Sequence, residues 1–194
     1  MNTVVRTKER IKRTAEVMTP PWFVSRILDN LVEYGDPHIF EDDTKTTLDP
    51  ACGNGNFLWE VLRRKLEAGQ YTYTALSCIY GTDIMPDNII ECRLRLLDLV
   101  SKKDKVSAQH ISIVSKNIIW IDPSIHPMGA LSYHFGFQQE PPKEQVFKWL
   151  LYFNAGVRDL EHFPCEAERY EVVDKKILKK ERAMLKRELD EDIT

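Results

Sequence analysis

Apolar positions recur at helical spacing soon after Met18-Thr19-Pro20-Pro21, at Trp22, Phe23, Ile27, Leu28 and Leu31. That spacing predicts a helix with one apolar face. Thr19 is its expected cap, Pro20 its first helical residue, and Gly35-Asp36-Pro37 its stop. Glu41-Asp42-Asp43 reads as a polar loop, and Thr46-Thr47-Leu48 as a short strand ending at Asp49-Pro50. After the glycine-containing turn Ala51-Cys52-Gly53-Asn54-Gly55-Asn56, a second helix is expected from Phe57. It places Leu58, Val61, Leu62 and Leu66 on one side and Gly69 just past its end.

Thr74 to Tyr80 is short and apolar, and is expected to form a second strand ending at Gly81-Thr82-Asp83. Pro86-Asp87-Asn88 opens a third helix with Ile89, Ile90, Leu94, Leu97 and Val100 inward, closed by Lys102-Lys103-Asp104-Lys105. Ile111 to Val114 reads as a third strand with Asn117 just beyond it, and Ile118 to Ile121 as a continuation of the sheet. A helix, two strand–helix units and a further strand predict an α/β fold with a parallel-rich sheet. After Asp122 the pattern weakens. Val146 to Phe153 is apolar but of ambiguous type. From Glu166 a charged helix is expected, with a thin stripe of Val173, Ile177, Met184 and Leu185.

The length of 194 residues suits one compact domain, or one domain with an extension. Apolar residues at 43% and charged residues at 29% exclude a disordered chain. No apolar run approaches the ~20 residues of a membrane-spanning helix. Cys52, Cys78, Cys92 and Cys165 stand far apart with no histidine at zinc-ligand spacing, which points to reduced thiols, a cytoplasmic location and no metal. The net charge of -3 argues against a uniformly basic nucleic-acid coat. Residues 1–13 nevertheless carry five bases against one acid, an arm suited either to phosphate contact or simply to solvent.

The strongest chemical signal is Leu48-Asp49-Pro50-Ala51-Cys52-Gly53-Asn54-Gly55-Asn56-Phe57-Leu58. A strand-end carboxylate followed by a glycine turn into a helix makes a ligand crevice at the carboxyl edge of a parallel sheet. Asp49 can accept from a cationic amine there, and the glycines admit close backbone approach. A bare Gly-x-Gly is equally a tight strand-to-helix turn. Asp83, 28 residues past Gly55 at the end of the next strand, is placed to bind ribose hydroxyls. Leu58 stands where the third glycine of a pyrophosphate cradle would be, which disfavours a pyrophosphate ligand and leaves open a nucleoside without phosphates, of which S-adenosylmethionine is the common one.

Thr19-Pro20, the 48–58 segment and Tyr80-Gly81-Thr82-Asp83-Ile84-Met85-Pro86 together resemble the adenine-N6 DNA methyltransferases, nearest to the modification subunits of restriction-modification systems. The likeness spans about residues 14–120. It implies a Rossmann-like S-adenosylmethionine-dependent methyltransferase fold, shortened and with a helical C-terminal extension. The division is then an arm at 1–13, a methyltransferase-like domain at 14–165 and a charged helix at 166–194. The resemblance implies that Asp49 and the turn residues Ala51, Cys52, Gly53, Asn54 and Gly55 hold the methionine part of the cofactor. It assigns Thr19 to the carboxylate, Asp83 to the ribose, Ile84 to one adenine face and Asn117 to the adenine edge.

The same family uses an Asn/Asp/Ser-Pro-Pro-aromatic tetrapeptide to hold the target amine and stack on the flipped base. Here the nearest segments are Asp122-Pro123-Ser124-Ile125, which lacks a ring, and Glu140-Pro141-Pro142-Lys143, which has a bulkier acid and no strand leading into it. No catalytic residue is assigned. His110, His126, His134 and His162 are scattered, and Trp22, Phe23, Trp59 and Trp149 read as core. Two functions remain in view: methyl transfer to DNA, or a non-catalytic pseudo-methyltransferase acting as subunit, regulator or decoy in DNA modification and restriction. Expected partners are DNA and a protein partner or second copy, without a membrane. So compact a chain would suit a phage or mobile element.

Overall fold

The computed structural model describes residue 11 and residues 16–121. The rest of the basic arm, the segments at 122–125 and 140–143, the 146–153 run, the 166–194 helix and His126, His134 and His162 lie outside the described residues.

Five helices and three strands alternate along the described chain: α1 (Pro21–Tyr34), β1 (Thr47–Asp49), α2 (Asn56–Glu67), α3 (Thr72–Ser77), β2 (Ile79–Asp83), α4 (Pro86–Ser101), α5 (Ala108–Asn117) and β3 (Ile118–Trp120). The strands form one parallel sheet in the order β1-β2-β3. Asp49 lies opposite Gly81, and Asp83 opposite Trp120. This is the expected α/β arrangement with a parallel sheet. Helix α2 packs on β1 and β2, and α4 on β2 and β3. Leu58, Leu62, Ile79, Leu94, Leu97, Ile111 and Ile118 are almost fully buried in the resulting core. Each such aliphatic side chain contributes roughly 1.5–3 kcal/mol by leaving water. No described helix is long and apolar enough to cross a membrane.

Helix α1 starts one residue later than expected. Pro20 is its extended N-cap (φ -61°, ψ 141°) and Pro21 its first residue. A residue that precedes proline is forced out of the helical region, so Pro20 cannot itself be helical. The buried side also differs: Val24 and Leu28 face α2, while Trp22 is 68% exposed and Phe23, Ile27 and Leu31 are about as exposed as they are covered. The fastening is partly polar. Arg64 Nη2 donates to the Ser25 carbonyl (3.0 Å), pairs with Asp29 (2.7 Å), and the guanidinium lies over the Phe40 ring.

One expected strand, and the first part of another, are helical. Thr74–Ser77 belongs to α3, and β2 begins only at Ile79. Thr72, Ala75 and Leu76 are buried at helical spacing, and the Thr72 hydroxyl is held by His110 Nε2 (3.0 Å). Ile111–Val114 lies in α5 because Ser107 opens a capping box there. The Ser107 N–H donates to His110 Nδ1 (3.1 Å), and the serine oxygen accepts from the His110 N–H (3.4 Å). Ile111 and Val114 then bury at i and i+3, and the third strand is Ile118–Trp120 alone.

Candidate functional site

The carboxyl ends of β1 and β2 lie side by side, and the turn leaving β1 crosses over the end of β2. Cys52 N–H donates to the Thr82 carbonyl (2.8 Å), and Thr82 Oγ1 donates back to the Pro50 carbonyl (2.6 Å). Gly53 and Gly55 have φ of +53° and +84°, the left-handed region that disfavours any side chain. Space forbids one too: a Cβ on Gly55 would meet Cys92 Sγ at 2.5 Å, and one on Gly53 would meet Met18 Sδ at 3.0 Å. Gly81 serves packing instead, since a Cβ there would strike Leu58 Cδ1 at 2.6 Å. It lets α2 approach the sheet, which sets the height of the turn.

Asp83 fastens this turn to the next helix. Its Oδ2 accepts from Gly53 N–H (2.9 Å), and its Oδ1 from Met85 N–H (2.8 Å) and Asn88 Nδ2 (3.1 Å). Burial pushes its carboxyl above the usual range against the pull of these three donors. A carboxylate offers about four acceptor positions, so about one remains, on Oδ2, for an outside hydroxyl. Asp49 differs. Half-buried, it accepts only from Ala51 N–H (3.1 Å) among the described residues, and burial likewise raises its pKa. Its charge is thus under-compensated at the mouth of the crevice.

The other expected residues divide. Thr19 is brought to the turn, because its carbonyl accepts from Asn56 Nδ2 (2.8 Å). Ala51 is exposed at the turn. Ile84 is half-buried beside Asp83, and its carbonyl accepts from the Trp120 indole (3.0 Å). Cys52 and Asn54 point inward, so the turn can present only their backbone. The Cys52 thiol is buried and its pKa is driven well up, first by its contact with the Cys92 thiol and then by burial. Asn54 is fully buried, its Nδ2 donating to Glu91 Oε1 (3.2 Å). Asn117 is not brought to the site. It ends α5 at the amino end of β3 and donates to the Ser77 carbonyl (3.2 Å), at the opposite edge of the sheet. In a parallel sheet the carboxyl edge of β3 is reached only at Trp120 and Ile121.

Four residues shape the turn in roles the sequence does not assign: Met18 against Gly53, Asn56 and Arg95 behind the turn, and Asn88 on Asp83. Arg95 Nη1 donates both to the Asn54 carbonyl (2.7 Å) and to Asn56 Oδ1 (2.8 Å). Only a spatial contact across about forty residues reveals such a role. Among the described residues, no group of three or more His, Cys, Asp or Glu is placed to hold a metal ion. No protein-family model, curated protein or solved structure matches the chain.

Proposed function

We propose that the described domain is the cofactor-binding part of an S-adenosylmethionine-dependent methyltransferase-like protein of the adenine-N6 DNA class, with a Rossmann-like fold. One observation carries this reading: two carboxylates whose pKa burial raises, Asp49 and Asp83, end adjacent parallel strands on either side of a left-handed glycine turn. The residues suit the cofactor's parts. An under-compensated carboxylate at Asp49 favours an ammonium. The Gly53–Gly55 backbone allows close approach, and the remaining acceptor position on Asp83 takes one ribose hydroxyl. When bound, the cofactor would supply an electrophilic methyl group, and Asp49 and Asp83 would hold and orient it. Because the tetrapeptide at 122–125 or 140–143 departs from the family pattern, the alternative is a non-catalytic subunit, regulator or decoy in DNA modification or restriction.

Calorimetric titration with S-adenosylmethionine and its demethylated product tests the reading. Asp49→Asn keeps the acceptor for Ala51 N–H but removes the charge, and should weaken binding roughly 10–100-fold, the worth of one hydrogen bond to a charged group. The melting curve of that variant should be unchanged or slightly raised. No binding by the folded full chain, or equal binding by Asp49→Asn, would overturn the assignment. A binding chain would then be assayed for methyl transfer to DNA, where inactivity favours the non-catalytic alternative.

A further inference from the structure

We infer that a second ligand site lies behind the glycine turn, in the groove where α1, α2 and α4 meet, and that it takes a small oxyanion carried on an apolar body. The groove has a volume of about 250 Å³. Pro21, Val24 and the Trp59 ring form an apolar wall, and Arg95 and Asp98 of α4 with Lys102 at its C-cap line the rest. This is the usual composition of a small-molecule site, an apolar lining with a few convergent polar groups.

The charges decide which ligand fits. Glu60, also at the groove, already has both oxygens engaged by Arg63 and Arg64. Asp98 faces Lys102 at 3.2 Å. Arg95 is left with neutral acceptors only: its hydrogen bonds use Nη1, on the Asn54 carbonyl and Asn56 Oδ1. Its Nε and Nη2 have no partner among the described residues, and neither has the Trp59 indole N–H. Burial pulls the Arg95 guanidinium below its ordinary pKa despite the nearby Glu91 carboxylate. A guanidinium fork matches a carboxylate or phosphate in two parallel hydrogen bonds. Because the same guanidinium holds the turn from behind, an occupant would be felt at Asn54 and Asn56.

The test is NMR titration of the full chain labelled with nitrogen-15, following the Trp59 indole signal assigned through Trp59→Phe. Benzoate and phenyl phosphate present the two oxyanions on one ring; benzyl alcohol keeps the ring without the charge, and inorganic phosphate the charge without the ring. Benzoate or phenyl phosphate should move the Trp59 signal at millimolar concentration. The tighter of the two identifies the carboxylate or the phosphate source. Benzyl alcohol and inorganic phosphate should bind at least about tenfold more weakly, and Arg95→Met should weaken the ring anions by a similar factor. Benzyl alcohol binding as well as benzoate would overturn the proposal, and this comparison stands even where Arg95→Met fails to fold. So would a Trp59 signal that neither ring anion moves at about 10 mM, or full affinity retained by a folded Arg95→Met.

Discussion

At Asp83 the residue is legible and its work is not. Its place after a strand and 28 residues beyond Gly55 marks it for a ligand, yet three of its acceptor positions hold the protein together. Asp83→Ala should therefore destabilise the chain by about 2–4 kcal/mol, through orphaned Gly53 and Met85 N–H groups and the lost Asn88 hydrogen bond. A urea titration monitored by circular dichroism measures this. A loss below about 0.5 kcal/mol, the range of an ordinary surface change, would show that these hydrogen bonds carry little. Gly55 is legible for a related reason: the turn signal predicts a glycine, and the structure adds the contact that makes it mandatory. Gly69 is its natural control, with φ +93° and nothing within 4 Å of a built Cβ, against φ +84° and a 2.5 Å approach to Cys92 at Gly55. Both Gly→Ala changes incur the left-handed penalty of about 1–2 kcal/mol. Gly55→Ala should lose about 1–3 kcal/mol more from overpacking, and equal losses would remove Cys92 from the account.

Elements built from their own periodicity were legible, and those set by distant partners were not. Helices α2 and α4 follow from apolar spacing, with Gly69 and Lys102 near their ends. The Thr72–Ser77 helix did not, because Thr-Tyr-Thr favours strands locally and a six-residue helix is too short to declare a period. What holds α3 is His110, from α5. Its ring is fully buried, stacks on Tyr73 with centroids 4.0 Å apart, and links Ser107 to Thr72. Thr72 Oγ1 in turn donates to Asp104 (3.3 Å). Accepting from Ser107 N–H requires an unprotonated Nδ1, and burial lowers the His110 pKa below 6.5 although Asp104 opposes this. The unfolded chain binds this proton more readily, so His110 contributes full stability above pH 6.5. That contribution falls as pH drops from 6.5 through the folded-state pKa. Asp49 and Asp83, both raised, act with the opposite sign at lower pH, where protonation relieves their buried charge. Denaturation curves between pH 7.5 and 5.5 should show declining stability, and His110→Gln should flatten the decline while lowering stability at pH 7.5. An unchanged slope in the variant would assign the pH dependence elsewhere.

Across the whole molecule, charge separates what the described domain does from what binding DNA would demand. Residues 16–121 carry fifteen acids against eleven bases, and the crevice itself is lined by Asp49 and Asp83. Such a body repels a phosphate backbone. The first 13 residues, with five bases and one acid, reverse that balance. Composition therefore concentrates positive charge in residues 1–13, just as hydrophobic pattern marks the residues of the sheet. Neither discloses what meets the exposed Trp22, Phe23, Ile27 and Leu31 of α1, because burial depends on neighbours that periodicity does not name. If DNA is the partner, affinity should fall steeply with salt, and the arm should account for the steepness. Each phosphate neutralised on duplex DNA contributes about -0.9 to the slope of log K against log salt. Removing residues 1–13 should therefore flatten that slope by up to about 4.5 if all five bases reach phosphates, while the melting temperature and S-adenosylmethionine affinity stay as they were. Fluorescence anisotropy with a labelled duplex across a salt series measures the slope for both chains. Equal slopes would place the phosphate contacts among the remaining basic residues, and the arm would then be a solvated terminus.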